Sequence, residues 1–264
     1  MSLNPPSDTK VIDNGNYIFY NGHNYRYKDS MTSILFMGVD KDELGTVKNV
    51  VGTGGQADAL YLIAIDTDNG VTTTFQISRN TMVDIDLYNT AGDFIRTENN
   101  QICLSYAYGD GKETSAENTV RSVRRLFYGL PVAQSYTALD ISGISALNDS
   151  IGGVTVTSPV TYTDDNNKVV YKGGQTYELH GKDAESFVRS RNHETANYND
   201  NRMARQKAYL NAFIDKTVSM TKSDVTTPVT IYNSAKPYMT TNLSAAKVSY
   251  LATDLLRKGI TSAD

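Results

Sequence analysis

The first third of the chain carries short apolar runs separated by turn-forming residues. The run at 33–39 is almost entirely apolar, which is typical of a strand buried on both faces of a sheet. Two further strands are predicted at 59–65 and 71–77, and the turn-forming residues 66–70 between them favour antiparallel pairing. The pattern therefore predicts the centre of a β-sheet.

The residues before this sheet predict a smaller element. Asn21 and Gly22 join two aromatic-rich runs, 17–20 and 23–27, and Asn-Gly in such a setting is a strong indication of a β-hairpin. Residues 1–14 are polar and rich in turn formers. We therefore expect 1–14 to be a linker, 15–32 to be a hairpin extension at the edge of the main domain, and 33–264 to be one domain.

Helical spacing of apolar residues dominates the rest of the chain. Thr114 and Glu117 form a capping box ahead of one predicted helix, and Gly129 ends it. Further helices are predicted from about 141, 182 and 200, and after Ser244 as N-cap residue. The β-branched run 229–232 predicts a strand. Strands that alternate with helices predict an α/β domain, and the antiparallel early strands make its sheet mixed.

Composition and charge exclude several classes of protein. The 264 residues suit one sizeable α/β domain or two small ones. A net charge of −4 argues against general nucleic-acid binding, and a single cysteine excludes an intrachain disulfide. We interpret Cys103, between Ile102 and Leu104, as a small buried hydrophobic residue. The three histidines are scattered and the sequence has no CxxC or HExxH motif, so no clustered transition-metal site is predicted.

The predicted hairpin places charged residues opposite each other at one sheet edge. If the hairpin is symmetric about Asp68 and Asn69, Asp58 lies opposite Arg79, and Asn80 is adjacent. From the residues alone, a cross-strand ion pair worth less than about 1 kcal/mol when exposed explains this arrangement.

A second set of residues shares one face of the predicted fourth helix. Arg202, Arg205, Gln206 and Tyr209 follow the i, i+3, i+4, i+7 spacing, and Arg189 and Arg191 end the preceding helix. Planar guanidinium groups suit phosphate oxygens better than lysines do. The arginines therefore favour an anion site, with a solvated basic face as the alternative.

Seven motifs in fixed order carry a resemblance to a known family. They cover roughly residues 33–218 and are, in chain order, 34–40 (ILFMGVD), 57–60 (ADAL), 77–81 (ISRNT), 105–109 (SYAYG), 147–154 (LNDSIGGV), 188–191 (VRSR) and 202–206 (RMARQ). An ordered set is far more specific than any single motif. On these residues the chain resembles the LytR-CpsA-Psr family of cell-wall glycopolymer transferases.

The resemblance implies a fold, a location and a reaction. The fold would be a three-layer α/β/α sandwich that holds a polyprenyl chain in an apolar tunnel. The domain would lie on the extracytoplasmic face of the bacterial membrane, and its native protein would have a single N-terminal anchor. No apolar run reaches eighteen residues, and we interpret the first three residues as an added start in front of a truncated native chain. The reaction would move a glycopolymer from a polyprenyl diphosphate carrier onto a peptidoglycan hydroxyl, assisted by Mg²⁺ or another divalent cation.

The resemblance also implies roles for individual residues. The expected catalytic group is Asp58, Arg79, Arg202 and Gln206, with Asp58 and Asn80 as metal ligands. The diphosphate would be bound by Arg79, Arg189, Arg191, Arg202 and Arg205. Apolar residues on the third and fourth helices, namely Phe187, Leu210, Phe213 and Ile214, would line an elongated cavity for the lipid.

Three positions depart from the family pattern. Gln56 stands where the family usually has an arginine, Asn80 replaces the second metal-binding aspartate, and Asn199 replaces an aspartate beside Asp200. An amide oxygen still suits Mg²⁺ but brings no charge, so metal affinity should fall. Asp84 or Asp86 would be the replacements, and Asp58 or Asp40 would be the general base.

Three alternatives to the transferase remain at this point. A lost carboxylate is what a non-catalytic polyprenyl-phosphate-binding module would show. A hydrolase would cleave the same diphosphate with water as the acceptor. A structural envelope domain without a ligand agrees least well with the ordered motifs.

Overall fold

The chain forms two compact units, each with its own buried apolar core. The computed structural model describes residues 10–12, 17–45, 51–89, 91–192, 197–258 and 261–263. The first unit comprises Met1–Asp140, Met239–Ser244 and Arg257–Asp264, and the second comprises Ile141–Tyr238 and Ala245–Leu256. The sequence predicts one domain over 33–264, whereas the contacts within the chain divide these residues between two units.

The described residues contain both strands and helices. The strands are β1 (Lys10–Ile12), β2 (Tyr17–Tyr20), β3 (His23–Arg26), β4 (Met31–Val39), β5 (Ala57–Asp66), β6 (Val71–Ile77), β7 (Met82–Tyr88), β8 (Phe94–Gln101), β9 (Ser135–Asp140), β10 (Val154–Thr157), β11 (Tyr162–Thr163), β12 (Val169–Tyr171), β13 (Thr176–Leu179), β14 (Met239–Thr241) and β15 (Thr261–Ala263). The helices are α1 (Leu104–Ala107), α2 (Glu113–Leu126), α3 (Ile141–Ser150), α4 (Lys182–Arg189), α5 (Tyr198–Ser223), α6 (Thr227–Ala235) and α7 (Ala245–Lys258), and Lys236–Tyr238 form a short 3-10 helix.

The main sheet belongs to the first unit and is mixed. Its strand order is β14-β9-β4-β5-β6-β15. β5 pairs antiparallel with both β4 and β6, while β9 runs parallel to β4 and β15 runs parallel to β6. The predicted α/β class, the mixed sheet and the antiparallel pairing of the second and third predicted strands are confirmed.

Burial along β4 follows the period of a strand. Ser33, Leu35, Met37 and Val39 are buried and alternate with half-buried residues. Leu35, Met37 and Val39 pack in one core with Tyr106 of α1 and with Val120 and Val123 of α2. The prediction that this strand is buried on both faces is wrong, because its second face is only half-buried.

The predicted capping box of Thr114 and Glu117 is wrong, because both residues lie inside α2. The helix begins at Glu113, and the side chain of its N-cap residue, Lys112, makes no capping hydrogen bond. Asp110 takes the role instead, since its Oδ1 accepts hydrogen bonds from the N–H groups of Lys112 at 2.8 Å and Ser115 at 3.2 Å. The predicted end is confirmed: Gly129 has a φ of +79° and donates to Arg124 O at 2.7 Å.

The second unit packs α3, α4 and α5 around a core with two short antiparallel two-stranded sheets, β10–β13 and the hairpin β11–β12. The predicted helices at 141, 182 and 200 are confirmed. The predicted strand at 229–232 is wrong, because these residues lie inside α6. Pro228 occupies the first turn, and the buried positions Thr227, Ile231 and Ala235 repeat every four residues, which is a helical pattern.

The N-terminal hairpin is confirmed and has a third strand. β2 and β3 pair antiparallel from Tyr17 opposite Arg26 to Tyr20 opposite His23. β1 pairs antiparallel with β2, so Lys10–Ile12, which the sequence placed in a linker, extend this small sheet. Among the described residues, no helix is both long and apolar enough to cross a membrane.

Candidate functional site

Asp58 and Arg79 form an ion pair in the first unit. In the β5–β6 pairing Leu60 lies opposite Ile77, and the same register places Asp58 opposite Arg79, as predicted. An Arg79 guanidinium nitrogen contacts an Asp58 carboxylate oxygen, and the side chains are only 15% and 14% exposed. Low exposure reduces screening by solvent and salt, so this pair is stronger than the exposed cross-strand pair expected from the residues alone.

Gln56 completes the surroundings of Arg79. Its Oε1 accepts a hydrogen bond from Arg79 Nη2 at 2.5 Å. The neighbouring backbone is tied down, since Ala57 N–H donates to Cys103 O at 3.1 Å and Cys103 N–H donates to Arg79 O at 3.3 Å. Cys103 is fully buried, as predicted, and burial raises the pKa of its thiol. Arg79 is therefore held between a carboxylate and a neutral amide.

The predicted metal ligands differ in exposure. Asp58 is mostly buried, whereas Asn80 is exposed in the turn that follows β6. Among the residues that the structure describes, no three histidine, cysteine, aspartate or glutamate side chains are grouped so that they could hold a metal ion. The donor set is thus one carboxylate and one amide oxygen, both of the oxygen class that Mg²⁺ prefers.

Asp86 is committed to a network of hydrogen bonds, so it is a poor substitute for the missing carboxylate. Its oxygens accept hydrogen bonds from Thr97 at 2.7 Å, Arg125 at 2.8 Å and Arg121 at 3.2 Å. Burial by itself raises the pKa of this carboxyl, but these three donors outweigh burial and lower the pKa. Asp84, on the same strand, is exposed and accepts from Asn99 Nδ2 at 3.1 Å.

Arg202 lies buried near the start of α5 in the second unit. Its side chain donates through Nη2 to Asn199 Oδ1 at 3.0 Å, and the residue is 3% exposed. Asn199 is one of the departures from the family pattern. The amide orients the guanidinium of Arg202 without neutralising its charge.

Arg205 has a different environment from Arg202. It is 1% exposed, and its guanidinium carbon lies 4.6 Å from the ring centroid of Tyr162 and 5.9 Å from those of Tyr171 and Phe187. Its terminal nitrogens donate to backbone carbonyls, Nη1 to Phe187 O at 2.8 Å and Nη2 to Ser190 O. Burial lowers the pKa of Arg205 to about 10, and the two tyrosines partly offset that effect, so the group stays charged at neutral pH.

The remaining polar residues of the predicted site lie at the junction of α4 and α5. Gln206 Nε2 donates to Val188 O at 3.1 Å. Arg189 is exposed, with Nη1 3.5 Å from Glu185 Oε1, and Arg191 is half-buried. The structure thus brings Gln206 and Arg205 of α5 against the segment that carries Arg189 and Arg191.

The residues predicted to line the lipid cavity do not share one environment. Phe187 is fully buried, with its ring 4.9 Å from that of Tyr171. Phe213 is half-buried, packs on the same core and stacks on Tyr209 at 6.3 Å between ring centroids. Leu210 and Ile214 are half-buried. The lipid cavity itself stays a prediction.

Sequence reasoning missed the tyrosines that surround Arg205. Tyr162 and Tyr171 pair directly across the β11–β12 hairpin. The turn between them contains Asn166 and Asn167, and Asn167 has a φ of +61°. An Asn-Asn turn between two tyrosine-containing runs is a sequence feature from which this hairpin could have been predicted. Its contact with Arg205 depends on tertiary packing.

Comparison with known proteins gives consistent matches over most of the chain. The LytR_cpsA_psr family profile matches residues 7–263. A relative from Enterococcus faecalis named polyisoprenyl-teichoic acid–peptidoglycan teichoic acid transferase TagU is 24% identical, over 84% of this chain and 65% of its own. A TagU of the same name from Bacillus cereus is 28% identical, over 82% of this chain and 62% of its own. The chain therefore spans slightly less than two thirds of the length of these relatives.

Solved structures share the fold. B. subtilis TagV is 26% identical with a TM-score of 0.65, and the match covers 89% of this chain and 84% of that one. A structure of TagT bound to LI-WTA is 19% identical with a TM-score of 0.59, over 90% of this chain and 79% of that one. At 19% identity, the likeness between this chain and TagT concerns the fold alone.

Proposed function

The chain belongs to the LytR_cpsA_psr family, and from this membership we propose that it transfers a glycopolymer from a polyprenyl diphosphate carrier to peptidoglycan. The names of the TagU relatives support this class of donor and acceptor. We place the reaction at the extracytoplasmic face of the membrane, with the native protein anchored there.

One observation in the second unit carries the proposal for diphosphate binding. Arg205 and Gln206 hydrogen-bond to the end of α4, so the segments that bear Arg189, Arg191 and Arg202 are held against each other. Three guanidinium groups from adjoining segments suit a diphosphate, because each can donate to two phosphate oxygens. Phosphoryl transfer depends mainly on such positioning and charge neutralisation.

The proposed reaction balances as a phosphoryl transfer. An oxygen of the acceptor sugar forms a bond to the phosphorus that carries the glycan, and the bond from that phosphorus to the bridging oxygen breaks. Polyprenyl phosphate leaves with the bridging oxygen, and the acceptor hydroxyl loses its proton to a base. Asp40, exposed directly after β4, and Asp58 are the candidates for that base.

We propose that Asp58 and the Asn80 side-chain oxygen form a divalent-cation site within the first unit. Both are oxygen donors of the class that Mg²⁺ prefers, and a bound Mg²⁺ would supply positive charge there. Arg79 contacts Asp58 and Gln56, so its guanidinium orients the carboxylate.

The proposal is tested by transfer and release assays on a lipid-linked glycan substrate. Wild type should transfer the glycan to peptidoglycan and release polyprenyl phosphate, and Asp58→Ala should abolish both while it leaves lipid binding intact. Arg202→Ala should weaken lipid binding, since the guanidinium contacts phosphate in this proposal. Release without an acceptor would instead indicate a hydrolase.

A non-catalytic lipid-binding module is the second candidate, favoured by one specific observation. Gln56, Asn80 and Asn199 are neutral where the family pattern has charged residues, and one of them removes a metal-binding carboxylate. Tight binding of the lipid diphosphate by the wild type, with no turnover at any Mg²⁺ concentration, would establish this function and overturn the transferase.

A further inference from the structure

The C-terminal end of α4 is closed by side chains of α5. Every helix leaves the carbonyls of its last turn without intrahelical donors. In α4 the last intrahelical bond runs from Ser190 N–H to Ser186 O at 3.0 Å. Three of the carbonyls beyond it accept hydrogen bonds from side chains of α5: Phe187 O and Ser190 O from Arg205, and Val188 O from Gln206.

This arrangement suits a cation better than a neutral donor. The carbonyl end of a helix carries partial negative charge, so a guanidinium there is favourable. Arg205 is only 1% exposed and is packed among the rings of Tyr162, Tyr171 and Phe187. Both terminal nitrogens of Arg205 already donate to carbonyls, so the group is poorly placed to bind a solvent-borne phosphate as well.

The carbonyl of Ser190 links this cap to the predicted anion site. Ser190 is the residue between Arg189 and Arg191, and its backbone leaves the helix with φ −56° and ψ +138°. A hydrogen bond to that carbonyl restrains the peptide plane that leads into Arg191. The direction in which Arg191 leaves α4 therefore depends on Arg205, and the bond from Arg205 to Phe187 O restrains the last helical turn, which carries Arg189.

We propose that Arg205, assisted by Gln206, is a positioning residue that caps α4 and so aims Arg189 and Arg191 at phosphate, rather than a phosphate ligand itself. This inference rests on the proposed function for the role of Arg189 and Arg191, whereas the cap itself stands independently of it. Arg202, four residues before Gln206, keeps the role of direct ligand.

The cap is tested first without any ligand, by amide hydrogen exchange of the folded chain. Arg205→Met keeps an unbranched stem among the aromatic rings but removes every donor. Arg205→Lys keeps the charge but replaces the two donor nitrogens of the planar guanidinium with a single ammonium nitrogen. Lys207→Met removes a positive charge at an exposed position on the same helix and serves as the control.

We expect the last-turn amides of α4, including Ser190, to exchange about tenfold faster in Arg205→Met. Arg205→Lys should lie between that variant and the wild type, and Lys207→Met should match the wild type. Unchanged exchange at these amides in both Arg205 variants would overturn the proposed cap. If Arg205→Met does not fold, Arg205→Lys alone decides the question.

The positioning role is tested with inorganic pyrophosphate as the probe. The arginine Nε–H signals are followed by NMR during a titration, and the dissociation constant is measured by calorimetry. We expect the Arg202 signal to move and the Arg205 signal to stay. Arg205→Met should bind about tenfold more weakly, as is typical when a residue that orients a ligand-binding group is lost.

The outcomes separate this inference from the proposed function. An Arg205 signal that moves as far as that of Arg202 would make Arg205 a direct ligand and overturn positioning. Faster exchange with wild-type pyrophosphate affinity in Arg205→Met would also overturn it. If no arginine signal moves in the wild type, diphosphate binding fails, and faster exchange would still support the cap.

Discussion

At the scale of single residues, three amides stand where the family pattern carries charge. Two of them contact arginines: Gln56 accepts from Arg79, and Asn199 accepts from Arg202. An amide oxygen can orient a guanidinium but leaves its positive charge in place. Each of these two amides therefore orients a guanidinium without placing a further charge beside it. Asn80, the third amide, is exposed.

The first prediction concerns Asn80. Because Asn80 offers oxygen without charge, Asn80→Asp should strengthen Mg²⁺ binding and raise transfer when metal occupancy limits the rate. Calorimetric titration with Mg²⁺ measures the first effect, and the transfer assay measures the second. Asn233→Asp, the same change at an exposed position of α6, is the control and should leave both unchanged. Equal Mg²⁺ affinity in wild type and Asn80→Asp would remove Asn80 from the metal site.

At the scale of elements, Asp86 joins β7 to its neighbours. It accepts from Thr97 of β8 and from Arg121 and Arg125 of α2, and its side chain is only 7% exposed. The charged partners are more than a third exposed, so solvent screens part of the attraction. The carboxylate therefore has a structural role in the first unit.

The second prediction follows from the lowered pKa of Asp86. Asp86→Asn should reduce the free energy of unfolding at pH 7 by about 1.5–3 kcal/mol, as for hydrogen bonds to charged groups. A carboxylate with a lowered folded-state pKa contributes fully above its ordinary value of 3.8 and loses its contribution as the pH falls through the folded value. The difference between wild type and variant should therefore shrink below pH 3.8.

Urea unfolding of both proteins between pH 3 and pH 7 provides the measurement. Asp84→Asn is the matched control on the same strand, because Asp84 is exposed and should contribute no more than about 0.5 kcal/mol. A stability difference for Asp86→Asn that is as large at the lowest pH as at neutral pH would contradict the assignment.

At the scale of the whole molecule, the two units have separate cores. The first core contains Ile85, the second contains Ile151, and the two sets of buried residues have no member in common. Both isoleucines are nearly inaccessible, at 0% and 3% exposure. Loss of one methyl group from either core therefore affects a different set of packing neighbours.

The third prediction uses this separation. Ile85→Val and Ile151→Val should each lower the free energy of unfolding by about 0.5–1.5 kcal/mol. The double variant should equal the sum within about 0.5 kcal/mol, because the two sites share no packing partners. Chemical denaturation of the four proteins gives the comparison, and Val225→Ala, at an exposed position, controls for removal of apolar surface in general. Coupling well above that limit would mean that the two cores pack as one.

The sequence by itself determined the features that depend on neighbouring residues. The strands β4, β5 and β6 follow from local apolar patterns, and the opposition of Asp58 and Arg79 follows from the symmetry of one short turn. The ordered motifs also identified the family, which the profile match confirms. These features were readable because strand period, turn chemistry and register are set over about ten residues.

Only the tertiary structure decided the features that depend on distant contacts. The run 229–232 has local strand preference, but Pro228 and burial at every fourth position make it part of α6. Sequence spacing placed Arg205 on the same helix face as Arg202, yet Arg205 contacts Tyr162 and the carbonyl of Phe187. Helical spacing specifies which side chains share a face, whereas the packing of the β11–β12 hairpin and α4 against α5 decides what each of those side chains contacts.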